Sequence, residues 1–209
     1  MNNEPLNDND LDGHALFLQI RTAHRLLAAY YQRLLPTIEQ ISIHFETDYW
    51  FWETCRFSKT ARNPFTNWKW DMLPATIPRY VFKNINSLKS LSKGDFILEF
   101  IVINDTGIRD ESKKTEPNAL DLKVDVTEAN STLKLNVYTS HDEREEDFYQ
   151  YWNQLSYPKP NNDLICTWEK GFVTTAFEVP LSDLISENGV RSLKSKIEAC
   201  LKATLDYKQ

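Results

Sequence analysis

Between Arg56 and Lys93 stand eight cations, Arg56, Lys59, Arg62, Lys69, Arg79, Lys83, Lys89 and Lys93, against one acid, Asp71. The stretch has a formal charge of +7 in a chain whose total is −6, so opposite signs are segregated along the sequence. Segregation of this size creates a local field that attracts an anion even where the whole molecule repels it. Phe57, Phe65, Trp68, Trp70, Tyr80 and Phe82 are interleaved with the cations. Lysine and arginine neutralise phosphates, and aromatic faces stack on unpaired bases, so a single-stranded nucleic acid would use both; an acidic partner protein would meet the same field. The candidate binding residues are Arg56, Lys59, Arg62, Trp68 and Lys69. In the competing reading the rings pack into a core and the cations form a solvated rim.

A second set of groups is Glu99, Asp105 and Asp121-Leu122-Lys123. A metal-dependent nuclease of the PD-(D/E)xK type needs an acid at a strand end and another two residues before a lysine on the next strand. The acids hold a divalent cation and the lysine steadies the attacking water. Asp105, Asp121 and Lys123 meet that spacing loosely, and this is the alternative catalytic reading. Against it, a D-x-K triplet on an alternating strand is common, and a hairpin follows where that architecture places a helix.

Other chemistry is weaker. His14, His24, His44 and His141 show no metal-ligand spacing, and His24 lies near an apolar stripe, as a packed histidine would. Asp105-Thr106-Gly107 is a single triplet that reads as a turn. No G-x-S-x-G surrounds a serine, and no cofactor or metal site is indicated. The run Asp142 to Asp147 is acidic and forms the counter-pole of the basic stretch. A homodimer joined through these opposite charges is one arrangement the pattern allows.

The elements that must position these groups follow from periodicity. Leu16, Ile20, Ala23, Leu27, Tyr30 and Leu34 recur at spacings of three and four, widened by Phe17, Ala28, Tyr31 and Leu35, and predict a long amphipathic helix from Gly13 to Leu35, capped by Asp10 or Asp12. Pro36 marks its end or a kink. Ile41, Ile43 and Phe45 alternate with polar residues and predict a strand that continues through Tyr49-Trp50-Phe51-Trp52 toward Phe57. Residues 58–92, broken by Pro64, Pro74 and Pro78, read as a long excursion with a short helix near Asn84 to Leu91. Phe96 to Ile103 is apolar on both faces, as a central strand is.

Alternation at 120–126 and 132–137 predicts a hairpin with Asp125 opposite Lys134. His141 to Leu155 reads as a helix carrying Phe148, Tyr151, Trp152 and Leu155. Leu164 to Trp168 and Phe172 to Val179 form a second hairpin about Glu169-Lys170-Gly171. Ser182 caps a short turn broken by Asn188-Gly189, and Val190 to Leu205 is a final amphipathic helix. Tight hairpins in place of helical crossovers imply an α+β fold: a mostly antiparallel sheet of five or six strands with N-terminal, middle and C-terminal helices packed on it.

At 209 residues and 41% hydrophobic content the chain can bury a full core. Residues 1–12 read as a disordered acidic tail and 13–209 as one domain. Cys55, Cys166 and Cys200 are odd in number and widely spaced, which fits reduced, buried thiols in a cytoplasmic protein. No apolar run is long enough to span a membrane. Together these readings lean toward a non-enzymatic, soluble binding or interaction protein whose basic and aromatic surface faces an acidic protein or nucleic acid. The nuclease is one alternative. Another is a subunit of a larger complex, docking through an apolar patch around Tyr49 to Trp52.

Overall fold

The computed structural model describes residues 8–57, 65–109 and 114–208, apart from the side chains of residues 8–12 and 74. The chain divides into two compact units, Met1–Gln40 and Ile41–Gln209. Most of helix α1 (Asp8–His44) lies in the first. The second contains an antiparallel sheet of β1 (Asp48–Thr54), β2 (Pro78–Asn84), β3 (Phe96–Ile103), β4 (Thr132–Ser140), β5 (Thr167–Glu169) and β6 (Phe172–Pro180). It also holds α2 (Phe148–Trp152) and α3 (Glu187–Leu205). The strand order is β1-β2-β3-β4-β6-β5 and every pairing is antiparallel, so the fold is α+β. No helix among the described residues is long and apolar enough to cross a membrane.

Because side chains alternate across a strand, β3 feeds two cores. Leu98, Phe100 and Val102 face one way with Leu133, Leu135 and Val137 of β4, all fully buried. α3 packs on this face with Leu193, Ile197, Cys200 and Leu201, and Thr139 on β4 bonds Thr204 on α3 at 2.8 Å. The opposite face carries two separate apolar clusters. Val81, Leu91, Ile97, Tyr138, Phe148, Trp152 and Phe172 form one; Phe57, Ile77, Ile101, Ile103 and Ile108 form the other. The polar residues discussed below lie between them.

Several expectations are corrected. Residues 41–44, expected as a strand, are the last turn of α1, which runs through Pro36. The burial of Leu34, Ile38, Ile41 and Ser42 follows a helical period, and Glu46, at φ 54°, ends the helix, with Thr47 bonding back to the Ser42 carbonyl. The helix also begins at Asp8, inside the stretch read as a disordered tail. His24, expected to be packed, is exposed.

The excursion at 58–92 hides β2, whose two faces are both largely buried and so show no alternation. Pro78 is tolerated because it is the first residue of that strand. No helix forms near Asn84 to Leu91: the Asp95 carboxylate instead ties the segment into a turn through Asn86 and Ser92.

Residues 120–126 are turns rather than a strand, with Leu120 and Val126 exposed; β4 finds its partners in β3 and β6, so Lys134 lies opposite Ile101 and Glu178 instead of Asp125. The middle helix is five residues long, begun by Asp147 accepting from Gln150 N, and the acidic run before it is not helical. The short turn expected at Ser182 is a 3₁₀ turn over Leu181–Ile185 without a side-chain cap, and Asn188-Gly189 falls inside the first turn of α3, which Ser186 caps. The β5-β6 hairpin is as expected but shorter. Lys170 and Gly171 both have positive φ, 48° and 81°, as a tight hairpin turn of this hand requires.

Candidate functional site

Glu99 is the one charged residue of β3, in the middle of an otherwise apolar strand, and it is fully buried. A carboxylate there must be paired or become neutral. Arg79, on the adjacent β2 and 6% exposed, donates Nη1 to Glu99 Oε1 at 2.7 Å and to the Tyr157 hydroxyl at 2.7 Å, and Nη2 to Glu53 on β1. The other Glu99 oxygen accepts from Asn136 Nδ2 at 2.6 Å and from the Tyr138 hydroxyl at 3.0 Å. Phe51, Trp152 and Tyr157 set their rings 5.6 to 5.9 Å from the guanidinium carbon, within cation–π range. Farther along the face, Arg109 makes a two-pronged pair with Glu178 at 2.9 and 3.0 Å.

The electrostatics follow from this pairing. Burial alone would lower the pKa of Arg79, but the hydrogen bond and charge of Glu99 outweigh it and the value is raised. Burial, and then the Glu99 charge, push Tyr157 up to about 12 and Tyr138 well above its usual range. Burial lowers Lys134. Neither phenol is therefore disposed to ionise near neutrality. Only about 30 Å³ of space remains among Arg79, Tyr138, Trp152, Asn153, Leu155 and Tyr157, on the scale of one water molecule. Arg79 Nε and Asn136 Oδ1 are buried without a hydrogen-bond partner among the described residues. The seam is rich in chemical groups but has no room for an organic substrate.

A second place on the same unit is open. A cavity of about 520 Å³ is lined by Lys69, Trp70, Leu73, Glu116, Pro117, Asn118 and Ala119. Its walls are tied together: Trp70 Nε1 donates to the Pro117 carbonyl at 2.8 Å, and the Lys69 backbone N–H donates to the Glu116 carboxylate. Trp70 lies flat on Phe57, ring centres 5.1 Å apart and 13° from parallel, and Trp68 meets Phe57 edge-on at 6.5 Å. Both tryptophans thus pack on the smaller apolar cluster and are half-buried.

Of the residues selected from sequence, Trp68 and Lys69 adjoin or line this cavity, with the Lys69 ammonium donating to the Asn67 carbonyl. Arg56 donates to the Arg109 carbonyl and lies over Phe57. Lys59 and Arg62 lie outside the described residues. Asp105 begins a short 3₁₀ turn by accepting from Gly107 N, while Asp121 and Lys123 sit in the exposed loop that replaces the expected strand. Among the described residues no three acidic, histidine or cysteine side chains are grouped as metal ligands would be. The three cysteines are free; Cys200 is buried, but Cys166 is half-buried and Cys55 exposed, against the expectation of buried thiols.

Sequence reading passed over Arg79 as one more cation of the basic stretch and missed Glu53, Asn136, Tyr138 and Tyr157 altogether. The available signal was the lone Glu99 in an apolar strand, which demanded a cation on a neighbouring strand. No curated protein and no solved structure matches the chain. A family model does match, over residues 10–206, and the protein therefore belongs to the PM0109 family.

Proposed function

We propose that this is a non-enzymatic interaction protein that holds an acidic, partly apolar segment of a partner polypeptide at the cavity beside Lys69. The observation that carries the reading is the combination found there: apolar walls from Trp70, Leu73, Pro117 and Ala119, about 520 Å³ of open space, and a place in the most basic part of the sequence. Such concavities, apolar with a few polar groups, are where ligands are held. A protein is favoured over a nucleic acid because the ring faces a base would stack on are partly spent on Phe57. The free cysteines fit a reducing compartment such as the cytoplasm.

Site-directed photo-crosslinking tests this. A photoreactive residue at Leu73 should give discrete adducts with another polypeptide in cells, and the same residue at Lys194 on α3 should not. Adducts to nucleic acid, or none at Leu73, would sink the reading; so would Mg²⁺-dependent cleavage of DNA abolished by Asp121→Ala.

A further inference from the structure

The first unit is a helix whose apolar stripe is largely uncovered. Leu16 is 54% exposed, Phe17 60%, Ile20 41% and Leu27 42%. An amphipathic helix of this length needs a surface to bury its stripe, since most helical stability in proteins comes from such packing. Leu16, Ile20, Ala23, Leu27 and Tyr30 are spaced 4, 3, 4 and 3, the 3.5-residue period of a coiled-coil seam.

We infer that α1 pairs with α1 of a second copy as an antiparallel two-helix coil, independently of what occupies the cavity beside Lys69. The register is set by size. Aligning the copies so that Leu16 faces Leu27 puts Ile20 against Ala23 and Gly13 against Tyr30, a large residue over a small one in both layers. A parallel pair would stack Gly13 on Gly13 and Ala23 on Ala23, leaving gaps, and would crowd Tyr30 against Tyr30. Charge gives the same answer. Asp8, Asp10 and Asp12 stand at one end of α1, and Arg21, Arg25 and Arg33 follow along it. The antiparallel register brings the flanking position of Asp12 to that of the exposed Arg33 on the second copy, twice per dimer, and separates the two acidic ends. In a parallel pair the acidic ends would lie side by side.

Sedimentation equilibrium of the full chain should give twice the 24.5 kDa chain mass. Leu16→Asp/Leu27→Asp should leave a monomer in which the second unit unfolds at the same temperature. Arg33→Asp should weaken the dimer roughly tenfold, and adding Asp12→Arg to that chain should restore it, because the charges meet only in the antiparallel register. Spin labels at Gln32, in a background with the three cysteines replaced by alanine, should lie roughly 35 Å apart, against under about 20 Å in a parallel pair. A monomer at 100 µM, a dimer untouched by the double aspartate variant, no rescue by the charge swap, or a short Gln32 distance would each overturn the proposal.

Discussion

Two cations of the basic stretch, Arg79 and Lys69, meet opposite fates. Arg79 is on a strand between two others, and its charge is spent on Glu99 and Glu53 while its faces are covered by rings. Lys69 begins a 3₁₀ turn outside the sheet, and its ammonium remains exposed. The same residue class, ten positions apart, serves structure in one place and presents charge to solvent in the other. Strand pairing decides which: a cation inside the sheet meets whatever the adjacent strands bring, and here they bring carboxylates. Net charge along a sequence therefore overstates the charge a partner can feel.

Breaking the Arg79–Glu99 pair tests the buried cation and should have the largest effect. Arg79→Met leaves a fully buried carboxylate with only Asn136 and Tyr138 as partners, and should cost about 3–5 kcal/mol in denaturant unfolding. Arg79→Met/Glu99→Met removes both charges and should recover most of that loss. If both variants unfold like the parent, the seam is not holding the sheet together. Next in size is Trp70→Ala, which uncovers Phe57 from one side. Because the ring is only half-buried, the cost should be about 2 kcal/mol, below the range for a fully buried tryptophan.

What the sequence made legible, and what it did not, has the same physical origin. The central strand β3, the β5-β6 hairpin and α3 were readable because each shows one undisturbed period or a turn that only certain residues make. β2 was not, because a strand covered on both faces loses its alternation, and Pro78 at its first residue looks like a breaker. The turns at 120–126 were misread in the opposite direction: Leu120, Leu122, Val124 and Val126 alternate convincingly, but both edges of β4 were already taken. Of the candidate site, Trp68 and Lys69 were found by charge and aromatic content. The loop at 116–119 that completes the cavity has no local signal, since it is brought there by the Trp70 and Lys69 hydrogen bonds.

The open end of the polar face should respond to pH. Burial alone would raise Glu178, but Arg109 and the Thr132 hydroxyl hold it below its ordinary value of 4.5. A carboxylate with a depressed folded pKa contributes stability that is fully present above its unfolded value and is lost as pH falls through the folded one. Glu178→Gln should thus cost under about 1 kcal/mol at pH 7, because the pair is partly solvated, and nothing at a pH well below 4. An equal cost at both pH values would mean that the residue acts through packing rather than charge.

The smallest effect should come from Lys69→Glu. Among the described residues its ammonium meets only the Asn67 carbonyl, and reversing an exposed charge of this kind changes stability by no more than about 0.5 kcal/mol. Unfolding curves of the variant and the parent should therefore superimpose, while photo-crosslinking from Leu73 drops. A variant that unfolds early would place Lys69 with Arg79, as a structural cation, and the contrast between these two residues would no longer hold. A variant that is stable and crosslinks as before would leave the charge difference intact but remove its bearing on binding. The crosslinking yield and the unfolding midpoint must therefore be measured on the same preparation, because only their divergence separates a charge that faces a partner from one that supports the fold.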